Sequence, residues 1–175
     1  TEQQRFEDPR QHDCAEETNR DADRLISVLR NADADVMLLV ETDHWWQQRL
    51  DALRETHPHA LACPLANTYG MLLYSRLPLL DMSVDFLVEP DVPSMQAGVR
   101  LRDGTIVWLN CVHPRPPAPT ESDESVERDA ELLLAGKRVR DATRPVVVCG
   151  DLNDVAWSRT TRLFQKTSRL VDPRK

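Results

Sequence analysis

Asp151 and Asn153 stand two positions apart where the apolar run Val146-Val147-Val148-Cys149 ends, just after Gly150. Side chains alternate across an extended strand, so this spacing predicts an acid and an amide displayed on one side while Leu152 packs on the other. Two other apolar runs end in a polar group in the same way, Leu38-Leu39-Val40 in Glu41 and Leu109-Asn110-Cys111-Val112 in His113. Ligands gather beyond strand ends in open sheets flanked by helices, so the three ends are predicted to converge. A glutamate, an aspartate and an amide, with no CxxC pair or second clustered histidine, form a hard, oxygen-rich set suited to Mg²⁺ or Mn²⁺. Such an ion binds a substrate phosphate and offsets charge on a leaving oxygen, and a histidine beside it can donate to a nonbridging oxygen.

Each group also has a plainer reading. Glu41 alone suits a solvated acid or helix cap, His113 before a proline suits a strand end, and Asp151 and Asn153 accept amide donors readily in turns. Asp154 is expected to cap the helix that follows. Cys111 and Cys149 lie inside apolar runs and read as buried thiols. The four cysteines are far apart, which excludes zinc-finger spacing.

The elements that position these groups follow from periodicity. Residues 1–18 are polar and read as an N-terminal arm. Asn19 is placed to cap a helix burying Leu25, Ile26 and Leu29, before the strand Val36–Val40 and a second helix over Asp43–Glu55. Strands are expected over His59–Pro64, Gly70–Ser75 and Leu79–Phe86, then over Met95–Leu101 and Thr105–His113, joined by the hairpin signal Asp103-Gly104. The proline-rich segment Pro114–Pro119 predicts a stiff loop, since proline lacks an amide donor. Beyond it, Ser122 or Asp123 is placed to cap a helix to about Asp141, with Val126, Ala130, Leu133, Leu134 and Val139 available for burial. The strand of the opening lines and a helix over Trp157–Lys166 complete the chain. Helices alternate with strands at both ends while hairpins fill the middle, so a mixed α/β sandwich is expected.

The chain has 175 residues, enough for one core-bearing domain, and its net charge is −7 with 29 acids against 22 bases. That balance argues against broad, nonspecific attraction to nucleic acid, although a local basic groove remains compatible with it. No apolar run reaches the length of a membrane span.

Taken in order, Val36 to Glu41, Asn110 to Pro117 and Val146 to Asp154 resemble the endonuclease/exonuclease/phosphatase superfamily. The stretches Tyr69 to Arg76 and Asn153 to Ser158 look most like its bacterial YafD-like branch. The resemblance implies a four-layer α/β sandwich, with two mixed β-sheets face to face and helices outside. It also implies Mg²⁺-dependent hydrolysis of phosphoester bonds, Mn²⁺ being the alternative ion, by in-line attack of water. Glu41 then matches the family's metal-binding glutamate and His113 its phosphate-contacting histidine. Asp151 matches the aspartate that orients or activates the water, and Asn153 the amide that holds a phosphate oxygen. Arg115, Tyr69 and Arg76 are further candidates for substrate contact. The substrate classes implied are nucleic acid, a small phosphate or a phospholipid headgroup.

Two family features have no counterpart. Cys14-Ala15-Glu16-Glu17 stands where the family's first strand brings an asparagine, and the late-strand Asp-His pair of the family is not found in the sequence up to Lys175. The expectation is therefore a domain over residues 19–175 that lacks terminal strands, as part of a longer protein; relatives of this branch include ones with membrane segments ahead of the domain. The alternative function is a noncatalytic phosphate- or partner-binding module on the same fold.

Overall fold

The computed structural model describes residues 20–116, 125–155 and 157–172. The expected arm, the Asn19, Ser122 and Asp123 caps and the end of the proline loop lie outside these residues. Helix α1 (Ala22–Ala32) is capped by Asp21, whose side chain accepts from the Arg24 amide. Strand β1 (Val36–Val40) leads to α2 (His44–Leu50), capped by Asp43. The second predicted helix is not uniform, because Asp51–Glu55 tightens into a 3₁₀ turn. The tighter turn brings residues three apart into line, and Leu50 and Leu53 are both buried.

Strands β2 (His59–Cys63), β3 (Met71–Ser75), β4 (Leu79–Phe86), β5 (Pro93–Arg100) and β6 (Ile106–Val112) follow, then α3 (Ser125–Arg140), β7 (Val146–Cys149) and α4 (Arg159–Ser168). They make two sheets, ordered β1-β3-β2 and β4-β5-β6-β7. The first is antiparallel, and the second is antiparallel except for the parallel β6–β7 pair. The predicted hairpin closes where Leu101 and Thr105 pair, with Gly104 at φ +87°.

Three apolar clusters define four layers. Met71 and Leu73 of the first sheet meet Met95, Ala97, Val99 and Cys111 of the second between the sheets. Met37, Leu72 and Tyr74 on the first sheet's other face pack against Leu50 and Leu53, with Leu25, Ile26 and Leu29 of α1 alongside. Val112 and Val148 face Leu132, Ala135 and Phe164 of α3 and α4. This is the expected α/β sandwich. Among the described residues no helix is long and apolar enough to cross a membrane.

Two helices differ in detail from the sequence reading. The buried face of α3 runs through Arg128, Glu131, Leu132, Ala135 and Val139, leaving Leu134 exposed. Apolarity alone misplaces that face, because the helix buries two charged side chains in it. Helix α4 starts at Arg159 under a Ser158 cap, so Trp157 stands outside it and is 71% exposed.

Candidate active site

The three polar strand ends are positioned by backbone contacts that tolerate no side chain. Val40 pairs with Met71, so Glu41 emerges beside Gly70, and the Thr42 amide donates to the Gly70 carbonyl at 3.0 Å. A Cβ on Gly70 would lie 1.9 Å from the Thr42 oxygen. On the second sheet, Cys111 pairs with Cys149, which brings His113 and Gly150 to one edge. A Cβ on Gly150 would lie 1.9 Å from the Val112 oxygen, and its φ of +130° is one that side chains rarely adopt.

The display of Asp151 and Asn153 differs from the strand alternation expected of them. β7 ends at Cys149, and the next residues fold into a turn in which the Asn153 amide donates to Asp151 Oδ1 at 2.9 Å. Asn153 sits at φ +48°, a conformation asparagine tolerates, and its Nδ2 donates to the Pro114 carbonyl at 2.8 Å. The turn thereby ties the β7 end to the residue after His113. Arg128 of α3 adds a bond from Nη1 to the Asn153 carbonyl at 3.3 Å. Glu41 also holds a left-handed φ, +59°. That conformation is uncommon for a residue with a Cβ.

His113 is 3% exposed, and its Nδ1 is buried with no hydrogen-bond partner. Burial holds the imidazole pKa below its ordinary value, while Asp151 and Glu41 both push it upward. Glu41 and Asp151 come from different sheets, and the charge of each reaches this one ring. The hydroxyl of Thr42, buried directly after Glu41, is likewise unpartnered. Unsatisfied buried polar atoms cost roughly 1–3 kcal/mol each, so each of these two marks a place suited to a polar group beyond the chain itself.

The remaining predicted residues divide. Tyr69 packs its ring against that of His113 at 5.6 Å between centroids, and the Arg115 guanidinium lies over the Tyr69 ring, 5.0 Å from its centroid. Arg115 is not free to clamp a phosphate as expected: Nε donates to Glu89 at 2.6 Å and Nη2 to Asp91 at 2.9 Å. Those carboxylates raise its pKa and fix the guanidinium as a support for Tyr69. Arg76 is placed elsewhere. It follows Ser75, which pairs with Val36, and it bonds Asp33, so it lies a strand length of about 16 Å from Glu41. Antiparallel pairing of β1 with β3 sends the two ends of β3 to opposite edges.

Asp154 does serve the following helix. It accepts from the Val155 amide and from the Ser158 and Thr161 hydroxyls, and these bonds outweigh burial to hold its carboxyl below the usual range. Cys111 and Cys149 remain thiols, 3.6 Å apart. Sequence reasoning missed Glu89, Asp91 and Asn67, whose Nδ2 donates to the Asp91 carbonyl. No spacing announces them, because they come from loops that meet only through folding.

The chemistry of the donor set fits a hard cation. Glu41 is exposed and has no hydrogen bond or ion pair among the described residues, and Mg²⁺ needs only one or two carboxylates besides water and substrate oxygens. The described residues contain no group of three His, Cys, Asp or Glu that could hold a metal by themselves. A cavity of about 350 Å³ runs beside Gly150, Asp151 and Asp154 toward Thr161 and Phe164 of α4. A larger one, about 550 Å³, is lined by Trp108, Asn110, Arg138 and Arg144 and includes none of the predicted set.

Residues 11–173 match the model of the Endonuclease/Exonuclease/phosphatase family. The chain belongs to that family. Among solved structures, this family member is similar to sphingomyelinase C from Streptomyces griseocarneus, with TM-score 0.70 and 14% identity over 86% of this chain and 63% of that one. It is similar to D. rerio TDP2 complexed with single strand DNA product, with TM-score 0.67 and 18% identity over 82% of this chain and 56% of that one. It is also similar to a hairpin-deleted beta toxin from Staphylococcus aureus, with TM-score 0.66 and 14% identity over 86% and 65%. The chain spans less than two thirds of the length of each of these structures. No curated protein matches it in sequence.

Proposed function

We propose that this family member is a metal-dependent phosphoester hydrolase, with its reaction centre at the edge shared by the ends of β1, β6 and β7. The observation that carries the reading is the buried His113 ring, which has an unpartnered nitrogen and feels carboxylates from both sheets. Glu41 would hold Mg²⁺ or Mn²⁺. When bound, the ion supplies positive charge to the phosphate and the leaving oxygen. Asp151 is exposed, so its free oxygen can orient a water and take its proton, while Oδ1 stays engaged with the Asn153 amide. His113 donates a ring N–H to a nonbridging phosphate oxygen; burial holds its pKa below the ordinary value, so the neutral ring can make this bond, and the nearby carboxylates offset only part of that fall. Asn153 uses Nδ2 on Pro114, which fixes the side chain against the residue following His113 and sets the spacing at which a phosphate is held. Tyr69, braced by Arg115, limits how far the ring of His113 can turn.

The bonds cleaved would be those of a nucleic acid, a small phosphate or a phospholipid headgroup, and the likeness to the YafD-like branch belongs to the same reading. A noncatalytic phosphate-binding module is the second reading, favoured by the lack of a three-ligand group among the described residues. Hydrolysis of bis(p-nitrophenyl) phosphate with Mg²⁺ separates them. Glu41→Gln and Asp151→Asn should each cut turnover roughly 10²-fold or more while leaving the fold intact. Phosphate binding without turnover in the unsubstituted protein would establish the second reading.

A further inference from the structure

Helix α4 carries a charge pattern that the site does not use. The stretch from Val155 to Val171 contains no Asp or Glu, in a chain with 29 acids among 175 residues, yet it holds Arg159, Arg162, Lys166 and Arg169. At about 100° per residue Arg159, Arg162 and Lys166 fall within an arc of about 60° of α4, and Arg169 follows at its left-handed C-cap. All four are exposed, whereas Thr160, Thr161, Phe164 and Ser168 on the opposite side are buried. None of the four makes an ion pair with a described residue; Arg169, at the C-cap, acts at longer range on Asp141. An outer helix face usually mixes charges of both signs, which neutralise one another. This one presents a single sign along about 10 Å, from Arg159 to Lys166.

The stripe begins at the reaction centre. Asp154, next to Asn153, accepts from the Ser158 and Thr161 hydroxyls and so fixes the start of α4 to the site turn. Trp157, 71% exposed, stands between that turn and Arg159. An aromatic face followed by a row of cations is the pattern that binds single-stranded nucleic acid, the ring stacking on an unpaired base and the cations following the phosphates. A membrane surface fits less well, because an interfacial helix must offer a broad apolar face, and of the two large apolar side chains of α4 Phe164 is buried against α3, which leaves only Leu163 exposed. Of the acids nearby, Asp151, Asp154 and Asp172 line the cavity on the inner side of α4 rather than the stripe, and Asp141, near Arg169, is paired with Arg140.

We infer that Trp157 and the Arg159-Arg162-Lys166-Arg169 stripe form a track for a single-stranded nucleic acid that leads to the β7 end. This rests on the phosphoester-hydrolase reading, since it names that site's substrate class. The test is fluorescence anisotropy of a labelled single-stranded oligonucleotide with the full chain in EDTA, across about 50 to about 200 mM salt. The triple variant Arg159→Gln/Arg162→Gln/Lys166→Gln should bind more weakly, with a log–log salt slope shallower by about 2. Trp157→Ala should weaken binding roughly 10-fold with an unchanged slope. Arg159→Lys/Arg162→Lys, which keeps the charges, should retain the slope, and circular dichroism checks that each variant is folded.

Absence of oligonucleotide binding, an unchanged slope in the triple variant, or binding only to phosphatidylserine vesicles would overturn the track. Bis(p-nitrophenyl) phosphate hydrolysis separates the two proposals. Turnover that persists beside stripe-independent binding rejects the track alone, and stripe-dependent binding without turnover rejects catalysis alone.

Discussion

Gly150→Ala tests how the second sheet holds its part of the site. The new Cβ would lie 1.9 Å from the Val112 oxygen, where real contacts begin near 3.0 Å, so β6 and the β7 turn must part by about 1 Å. The φ of +130° adds strain of about 1–3 kcal/mol for any residue with a Cβ. Separation falls directly between His113 and Asp151, and a misplacement of about 1 Å costs on the order of 10²-fold in rate. The assay is turnover of bis(p-nitrophenyl) phosphate per folded molecule, with the folded fraction taken from urea melts followed by circular dichroism. Gly98→Ala is the control: the tightest contact of its Cβ would be the Ile106 methyl at 3.1 Å, with Leu80 at ordinary contact from 3.5 Å, far along the same sheet from His113, so turnover should be kept. Equal turnover in Gly150→Ala and the unsubstituted protein, or equal stability, would refute the argument that this close approach sets the site.

Glu131 is 2% exposed, has an unpartnered Oε1, and is pushed by burial and by Glu89 to a pKa of about 7. Because the folded value lies above the ordinary 4.5, the group is neutral and harmless in acid, and stability is lost as pH rises toward 7, by roughly 3 kcal/mol at most. Glu131→Gln should therefore raise the urea midpoint at pH 8 and leave it nearly unchanged at pH 5; an equal effect at both would contradict this. For His113 the sign is opposite: its depressed folded pKa gives stability that is full above about 6.5 and lost as pH falls toward the folded value. In His113→Gln the loss below 6.5 should be smaller, read from melts at pH 7.5 and 5.5. Arg115→Lys cannot keep both carboxylate bonds and the stack on Tyr69, so it should lower turnover several-fold; an unchanged rate would show that Tyr69 needs no brace.

Strand order along the chain and the polar strand ends were legible because buried strands are continuous apolar runs with polar punctuation. Met71–Ser75, buried throughout, follows that rule, and the partly buried Val36–Val40 shows the same pattern. What escaped depends on meetings between distant segments. Arg115 reads as a free cation until Glu89 and Asp91 arrive from another loop, and Arg76 reads as a neighbour of Tyr69 until β3 separates them. The Asp151–Asn153 spacing pointed to the right residues for an incomplete reason: a turn closed by the acid itself displays them. The basic stripe of α4 was hidden because net charge averages it against acids elsewhere, and only the buried face of the helix shows that Arg159, Arg162 and Lys166 align.

The central claim is that strand ends from two sheets make one site around His113. NMR titration of the His113 ring tests it most directly. Because Asp151 and Glu41 each push its pKa upward, Asp151→Asn and Glu41→Gln should each lower it, with the double variant lowest. A His113 pKa that is unmoved by the Glu41 substitution would contradict the claim, since the first sheet would then play no part at the ring.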